Sequence, residues 1–339
     1  MSKKLKKIVC IGGGTGVSVI LSGFKKEKSV SLSAIVSVFD TGGSSGEITR
    51  AVDILPLGDI RNSLVHSSTI NKALAEVFQY RFRKFKKLKG HSIGNLLLLA
   101  MAEEDNNDVG KAIQNLKKLL QIENREIIPV SLKKSDIKVK LKNGEEIIGE
   151  EKIVNCKFLS KVGIEKLSLI PKVKANKDAI LEIKKANLII LAPGKFFTSI
   201  LPNLLVEGVS EAIRKSKAKK VFICNLMTQP GNTDDFKVGD FVRILEDYLG
   251  NNVIDYVIFN TGRLSRRLIK NIQKIFPRTN LVDYGENLLS KNKFIGQDLL
   301  DRRIGKLNPS DILVKGANQR AIIFHDSKKL AKILIKICK

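Results

Sequence analysis

An α/β fold with a mostly parallel sheet covered on both faces is predicted by three features of the sequence. Apolar strand-like runs alternate with amphipathic helical patterns along the whole chain. Several of those runs are continuously apolar, as strands buried on both faces are. Polar loops, most of them carrying glycine, follow the ends of the strands, the edge at which open α/β sheets bind ligands. With 339 residues, 43% of them hydrophobic, the chain can bury a large core in one α/β unit or two domains.

The first element is Ile8-Val9-Cys10-Ile11, which runs into Gly12-Gly13-Gly14-Thr15-Gly16. Four apolar residues make a buried strand, and the glycines make a turn that other residues cannot make as tightly. Residues 17–24 read as the helix leaving that turn. Backbone N–H groups and the helix dipole then meet at one point, where a phosphate or diphosphate can be held. A tight βα turn without a ligand is the competing reading. The dinucleotide spacing G-x-G-x-x-G is not met, because Val17 and Val19 stand where its last glycine would fall.

A second strand, residues 31–39, ends at Asp40, where a ribose is commonly held. The loop Thr41-Gly42-Gly43-Ser44-Ser45-Gly46 adds backbone and hydroxyl donors. A third loop, residues 57–62, carries Asp59, Arg61 and Asn62. Arg61 can contact phosphate, and Asp59 can orient it or hold a metal; a local ion pair is the alternative. Residues 71–85, 93–102 and 109–120 read as helices, with Ser92 an N-cap. The basic patch at 81–89 reads as the end of the first of these, since Phe78, Phe82, Phe85 and Leu88 recur at helical spacing. Asn95, polar within an apolar helix start, needs a partner: a backbone group or a ligand.

At about residue 126 the pattern becomes short alternating strands at 127–132, 137–141 and 146–148, with a hairpin signal at Asn143-Gly144. Residues 126–173 are therefore expected to form a small β-rich insertion without catalytic residues. It divides the core into an N-terminal part, 1–125, and a C-terminal part, 174–339. Beyond it, Asn176 caps a helix at 177–185, and the strand 187–192 leads into Pro193-Gly194-Lys195-Phe196-Phe197-Thr198. A helix at 204–215 precedes the strand 220–226, near whose end stands Asn225, and the polar loop 227–235. Helices at 238–249 and 265–275 flank a strand at 256–260. A short strand at 280–283, a strand at 321–324 and a helix at 327–337 complete the chain.

The net charge of +26 comes from lysine spread along the chain with few aromatics among it. That is the pattern of a lysine-rich surface on an ordinary fold rather than of a nucleic-acid binder. Four scattered cysteines without a C-x-x-C fit a reduced, cytoplasmic setting. No apolar run is long enough to span a membrane, and the first apolar segment, cut short by Gly12, is too short for an export signal.

The blocks IGGGTG at 11–16, DTGGSSG at 40–46, LGDIRN at 57–62, GHSIGNLLL at 90–98, APGKFFTSILPN at 192–203 and NLMTQPG at 225–231 resemble one family. It is the bacterial gluconeogenesis-factor family of nucleotide-sugar-binding proteins, relatives of the 2-phospho-lactate transferases. The resemblance implies a Rossmann-like three-layer αβα core and a cytoplasmic role in cell shape and wall synthesis during gluconeogenic growth. It implies binding of UDP-sugars, notably UDP-N-acetylglucosamine. Gly13, Gly14 and Thr15 would line the diphosphate, with Gly43 and Ser44 beside them. Asp40 and Asn62 would approach ribose or sugar, and Gly194, Lys195, Phe196 and Thr198 would close the other side. Asn95, Asn225, Tyr284 and Arg320 complete the expected ligand contacts; a core-edge aromatic and a solvated cation are the plain readings of the last two.

Two departures bear on metal binding. Thr41 stands where the family has a second acidic residue, and Arg61 stands where the transferase branch has further carboxylates. Direct phosphate contact is thereby favoured over a metal bridge. The leading expectation is a regulatory UDP-sugar-binding protein with no required cofactor and no catalytic residue; UDP-sugar and NAD are the candidate bound nucleotides. The alternative is an Mg-dependent transferase of phosphorus-containing groups, with Mg near Asp40 and Asp59. The three histidines, His66, His91 and His325, form no ligand pattern. Expected partners are the nucleotide sugar, proteins of cell-wall regulation and further copies of the chain, with no nucleic acid.

Overall fold

The computed structural model describes residues 5–285, 288, 291–303 and 323–339. The chain opens with β1 (Lys6–Gly12), α1 (Gly14–Gly23), β2 (Val30–Val36), α2 (Gly43–Val52), α3 (Gly58–Ser67), α4 (Lys72–Gln79), α5 (Ile93–Glu103) and α6 (Val109–Leu119). Then come β3 (Arg125–Pro129), β4 (Asp136–Leu141), β5 (Glu146–Ile148), α7 (Glu150–Asn155), α8 (Leu159–Val162) and β6 (Ile164–Ile170). The second half holds α9 (Lys177–Lys185), β7 (Leu188–Leu191), α10 (Leu201–Leu205), α11 (Val209–Lys215), β8 (Lys219–Ile223), α12 (Val238–Leu249) and β9 (Tyr256–Asn260). It ends with α13 (Arg266–Ile275), β10 (Phe294–Gln297) and α14 (Ser327–Cys338).

Seven strands form one sheet in the order β10-β9-β8-β7-β1-β2-β3, and every neighbouring pair in it is parallel. Its central strands are apolar along their length: Ile8 to Ile11 and Leu188 to Leu191 are all buried. That is what helices on both faces require. One helical layer runs through α14, α1, α3, α5 and α6, and the other through α9, α11, α12 and α10. The expected α/β fold with a mostly parallel sheet is present. A separate antiparallel sheet, β5-β4-β6, stands outside it. None of the described helices is long and apolar enough to cross a membrane.

Several elements differ from the sequence reading. The strand read at 127–132 as part of the β-rich insertion is β3, the edge of the main sheet, paired with β2. The loops read at 43–46 and 57–62 are the first turns of α2 and α3. The helix expected over 71–85 stops at Gln79. Arg81 then pairs with Ser92 in an antiparallel bridge, and Arg81 itself is buried, its guanidinium donating to the Gly90 carbonyl at 2.8 Å. The basic patch therefore belongs to an irregular turn, because Tyr80-Arg81-Phe82-Arg83 alternates at a period of two and follows the strand period there. The segment 280–283 makes single bridges to Met227 and Lys237 rather than a strand. Of the strand placed at 321–324, residues 321 and 322 lie outside the described residues, and Ile323 and Phe324 are not in a strand.

Candidate functional site

In the sheet, β1 lies between β2 and β7, so the chain progresses outward in opposite directions from this strand. At such a reversal the loops leaving adjacent strand ends splay apart and open a crevice. A cleft of about 320 Å³ lies there, walled by Gly13, Gly14 and Thr15 after β1, by Asp40, Gly43 and Ser44 after β2, and by Gly194 and Lys195 after β7.

Three helices begin at this cleft, α1 after Gly13, α2 after Gly42 and α3 after Leu57, and none of these N-caps has a side chain that bonds the helix start. Apart from the Gly14 N–H, which donates to Asp59, the N–H groups of these first turns are consequently left for a ligand or solvent. Glycine is required here by crowding. A Cβ on Gly13 would lie 2.5 Å from Asp59 Oδ2, and one on Gly16 would lie 1.6 Å from the Pro193 carbonyl oxygen. The β1–α1 turn and the β7 loop thus pack backbone against backbone. On the β7 side, Asn225 locks Gly194 in place, accepting from its N–H at 3.1 Å and donating to its carbonyl at 2.7 Å.

Arg61 and Arg81 bring guanidinium groups to the cleft wall, and four further charged groups interact closely with one another there. Lys195 Nζ pairs with Glu150 Oε1 at 2.7 Å, and Glu150 is 1% exposed. Burial pushes the Asp59 carboxyl up, and the Asp40 charge pushes it further, to about 7, although it accepts from the Gly14 N–H. Burial likewise raises the Glu150 carboxyl against the pull of Lys195. Burial disfavours the Lys195 ammonium, but the charges of Glu150 and Asp40 outweigh it and hold its pKa above that of an ordinary lysine. Near neutral pH, Asp59 is therefore at its titration midpoint, and a bound anion would find it readily protonated. Asp40 and Asp59 are the carboxylates a divalent cation would use. Among the described residues, however, no three His, Cys, Asp or Glu groups are placed to hold one. Lys195 already answers their charge.

Of the sequence-predicted residues, Gly13, Gly14, Thr15, Asp40, Gly43, Ser44, Asn62, Gly194, Lys195 and Asn225 all line the one cleft. Others lie behind it. Asn95 is buried and donates to Ser44 Oγ at 3.1 Å. Phe196 is fully buried and packs edge-on against Phe197 and Phe241 in the π-helical turn Phe196–Ile200, where Thr198 is buried too. Tyr284 packs on Phe259 with ring centroids 5.1 Å apart, outside the cleft wall. Arg320 lies outside the described residues.

The structure also brings in residues that the sequence reading had left elsewhere. Glu150 comes from α7, in the insertion expected to carry nothing of the kind. Only its place in a helix first turn marks it in sequence, and that reads as an ordinary favourable dipole contact. Arg81 lines the cleft from the turn after α4. His325 lines it too, its Nε2–H donating to the Cys224 carbonyl at 3.1 Å, while burial holds its pKa down at about 4. An apolar wall of Leu226, Met227, Ile272 and Phe276 faces the glycine turns. His91, in the loop before α5, bonds Ser44 and Glu47.

Residues 8–294 match the family of 2-phospho-L-lactate transferase CofD. A gluconeogenesis factor of Listeria innocua is 40% identical over 271 residues, covering 79% of this chain and 82% of its own. A Thermotoga maritima protein is 38% identical over 332 residues, covering 98% and 99%. The crystal structure of a UPF0052-family protein from Bacillus halodurans superposes with a TM-score of 0.85 at 32% identity, covering 98% of this chain and 99% of that one. By sequence along nearly its whole length, and by the fold that carries the cleft, the chain belongs to the CofD family and groups there with the gluconeogenesis factors.

Proposed function

We propose that this chain is a cytoplasmic regulatory protein that binds a UDP-sugar of the UDP-N-acetylglucosamine type and adjusts cell shape and wall synthesis during gluconeogenic growth. One observation carries the reading: three helix N-termini without side-chain caps open on a single cleft beside a lysine. Such an arrangement suits a diphosphate, whose charge meets N–H dipoles and an ammonium without a metal bridge. The apolar wall opposite offers a surface for the flat, less polar part of a nucleotide. The gluconeogenesis-factor names of the relatives supply the physiological setting.

A titratable carboxyl at Asp59 in the same cleft favours a second reading, a transferase of phosphorus-containing groups. Calorimetry with UDP-N-acetylglucosamine, NAD and GDP, each with and without Mg²⁺, separates the two. The sensor reading expects metal-independent binding of the UDP-sugar. Binding of GDP alone, and only with Mg²⁺, would overturn it in favour of the transferase. Thr15→Val, which keeps shape and removes one hydroxyl from the cleft, is expected to weaken UDP-sugar binding by about 1 kcal/mol with an unchanged melting temperature.

A further inference from the structure

Ser44 stands in the cleft wall on the first turn of α2 and is 3% exposed. Its Oγ lies 3.0 Å from His91 Nδ1, and the other ring nitrogen, Nε2, lies 3.1 Å from Glu47 Oε2. Glu47 and Ser44 share one face of α2, three residues apart, so a single helix presents both ends of the chain of contacts. His91 is held between them by the loop that starts α5, and it does not itself line the cleft. The carboxylate fixes the tautomer: with Nε2–H donating to Glu47, Nδ1 is a lone-pair acceptor for the Ser44 O–H. A serine in a cleft wall, a base bonded to its hydroxyl and an acid orienting the base is the constellation that activates a serine nucleophile. No N-cap side chain bonds the first-turn N–H groups of α2, which leaves them as donors for negative charge that develops on an attacked phosphorus or carbonyl. Asn95, donating to Ser44 Oγ at 3.1 Å, fixes the rotamer.

We propose that Ser44 is a nucleophile, with His91 its base and Glu47 a positioning residue, acting on a phosphoric anhydride bound in the cleft. The chemistry goes beyond ligand binding; it rests on the binding reading only for the nature of the anhydride. Ser44 Oγ attacks the distal phosphorus as the bridging P–O bond breaks, and the electron pair leaves on the oxygen of a nucleoside monophosphate. His91 takes the serine proton and hands it to that departing oxygen. Water then attacks the phosphoserine ester, giving a proton to His91, which passes it to the departing Ser44 Oγ. The net change is hydrolysis of one anhydride bond.

A fluorophosphonate probe tests the nucleophile without a known substrate, since attack forms an O–P bond and expels fluoride. The expected result is one adduct per chain, located on Ser44 by peptide mass spectrometry and absent in Ser44→Ala. The labelling rate should fall about 100-fold in His91→Gln and about tenfold in Glu47→Gln. Glu47 is substantially exposed, so its variant keeps the fold even where His91→Gln does not. A wild-type chain that stays unlabelled, an adduct elsewhere, or a Glu47→Gln rate equal to wild type overturns the proposal. Absent labelling with intact UDP-sugar binding removes the nucleophile and leaves the binding reading standing. Labelling at Ser44 without UDP-sugar binding does the reverse.

Discussion

Asp59 sets the pH behaviour of the cleft because it is buried beside a second carboxylate. Its pKa in the folded chain is about 7, against 3.8 as the ordinary value. The folded state therefore binds the proton more tightly than the unfolded chain does. The stability this contributes is complete below about pH 4 and is lost as pH rises through 7. Asp59→Asn, which cannot ionise, should flatten that dependence and exceed the wild type at pH 8, by an amount on the order of a few kcal/mol. Melting temperatures at pH 5 and pH 8 decide it; equal slopes for the two proteins would refute the shift. The same group gives binding a sign. A diphosphate raises the Asp59 pKa further and takes up a proton on binding, so affinity falls as pH climbs past 7. A divalent cation would release a proton and bind tighter at high pH. Calorimetry in two buffers of different ionisation enthalpy reads the proton count directly.

At the scale of elements, the parallel strands and the β1–α1 turn were readable because each is encoded locally, by an apolar run and by glycines. The convergence of Asp40 and Lys195 was readable too, since both follow strand ends on the binding edge of the sheet, whereas Asn62 reaches the same cleft from within α3. What local pattern could not show were the long-range contacts. The stretch at 81–89 satisfies a helical period through its phenylalanines, yet Arg81 has its partner in the Gly90 carbonyl, and that bond turns the chain. Glu150 reads as a helix-start acid until the fold brings α7 to Lys195. The turn itself is testable. Gly16 touches the Pro193 carbonyl so closely that Gly16→Ala must push α1 away from the β7 loop. It should cost about 3 kcal/mol, measured by denaturant unfolding. A loss below about 0.5 kcal/mol would mean that the two segments are free to separate.

Across the whole molecule, the cleft is closed from outside the main sheet. The insertion β4–β6 carries α7, and α7 delivers Glu150 to Lys195. Among its ties to the core, Ser160 Oγ donates to Asp234 Oδ2 at 2.6 Å, and Asn232 Nδ2, buried, reaches the carbonyls of Ile153, Val154 and Cys156 at 3.3, 3.3 and 3.2 Å. Two variants then act on one quantity, the negative charge held against Lys195. Glu150→Gln removes it in place and should tighten binding of an anionic ligand about tenfold, the scale of one nearby charge at an intermediate dielectric. Asn232→Leu removes the buried side-chain donor that these three carbonyls share and should destabilise the chain by about 3 kcal/mol. By loosening α7 it should also withdraw Glu150 and tighten the anion. If both work through the same carboxylate, the double variant binds no more tightly than Glu150→Gln alone, because there is no second charge to withdraw. Strictly additive gains would show that the insertion and the cleft are energetically separate, and that the position of α7 does not govern the charge Lys195 offers to a ligand.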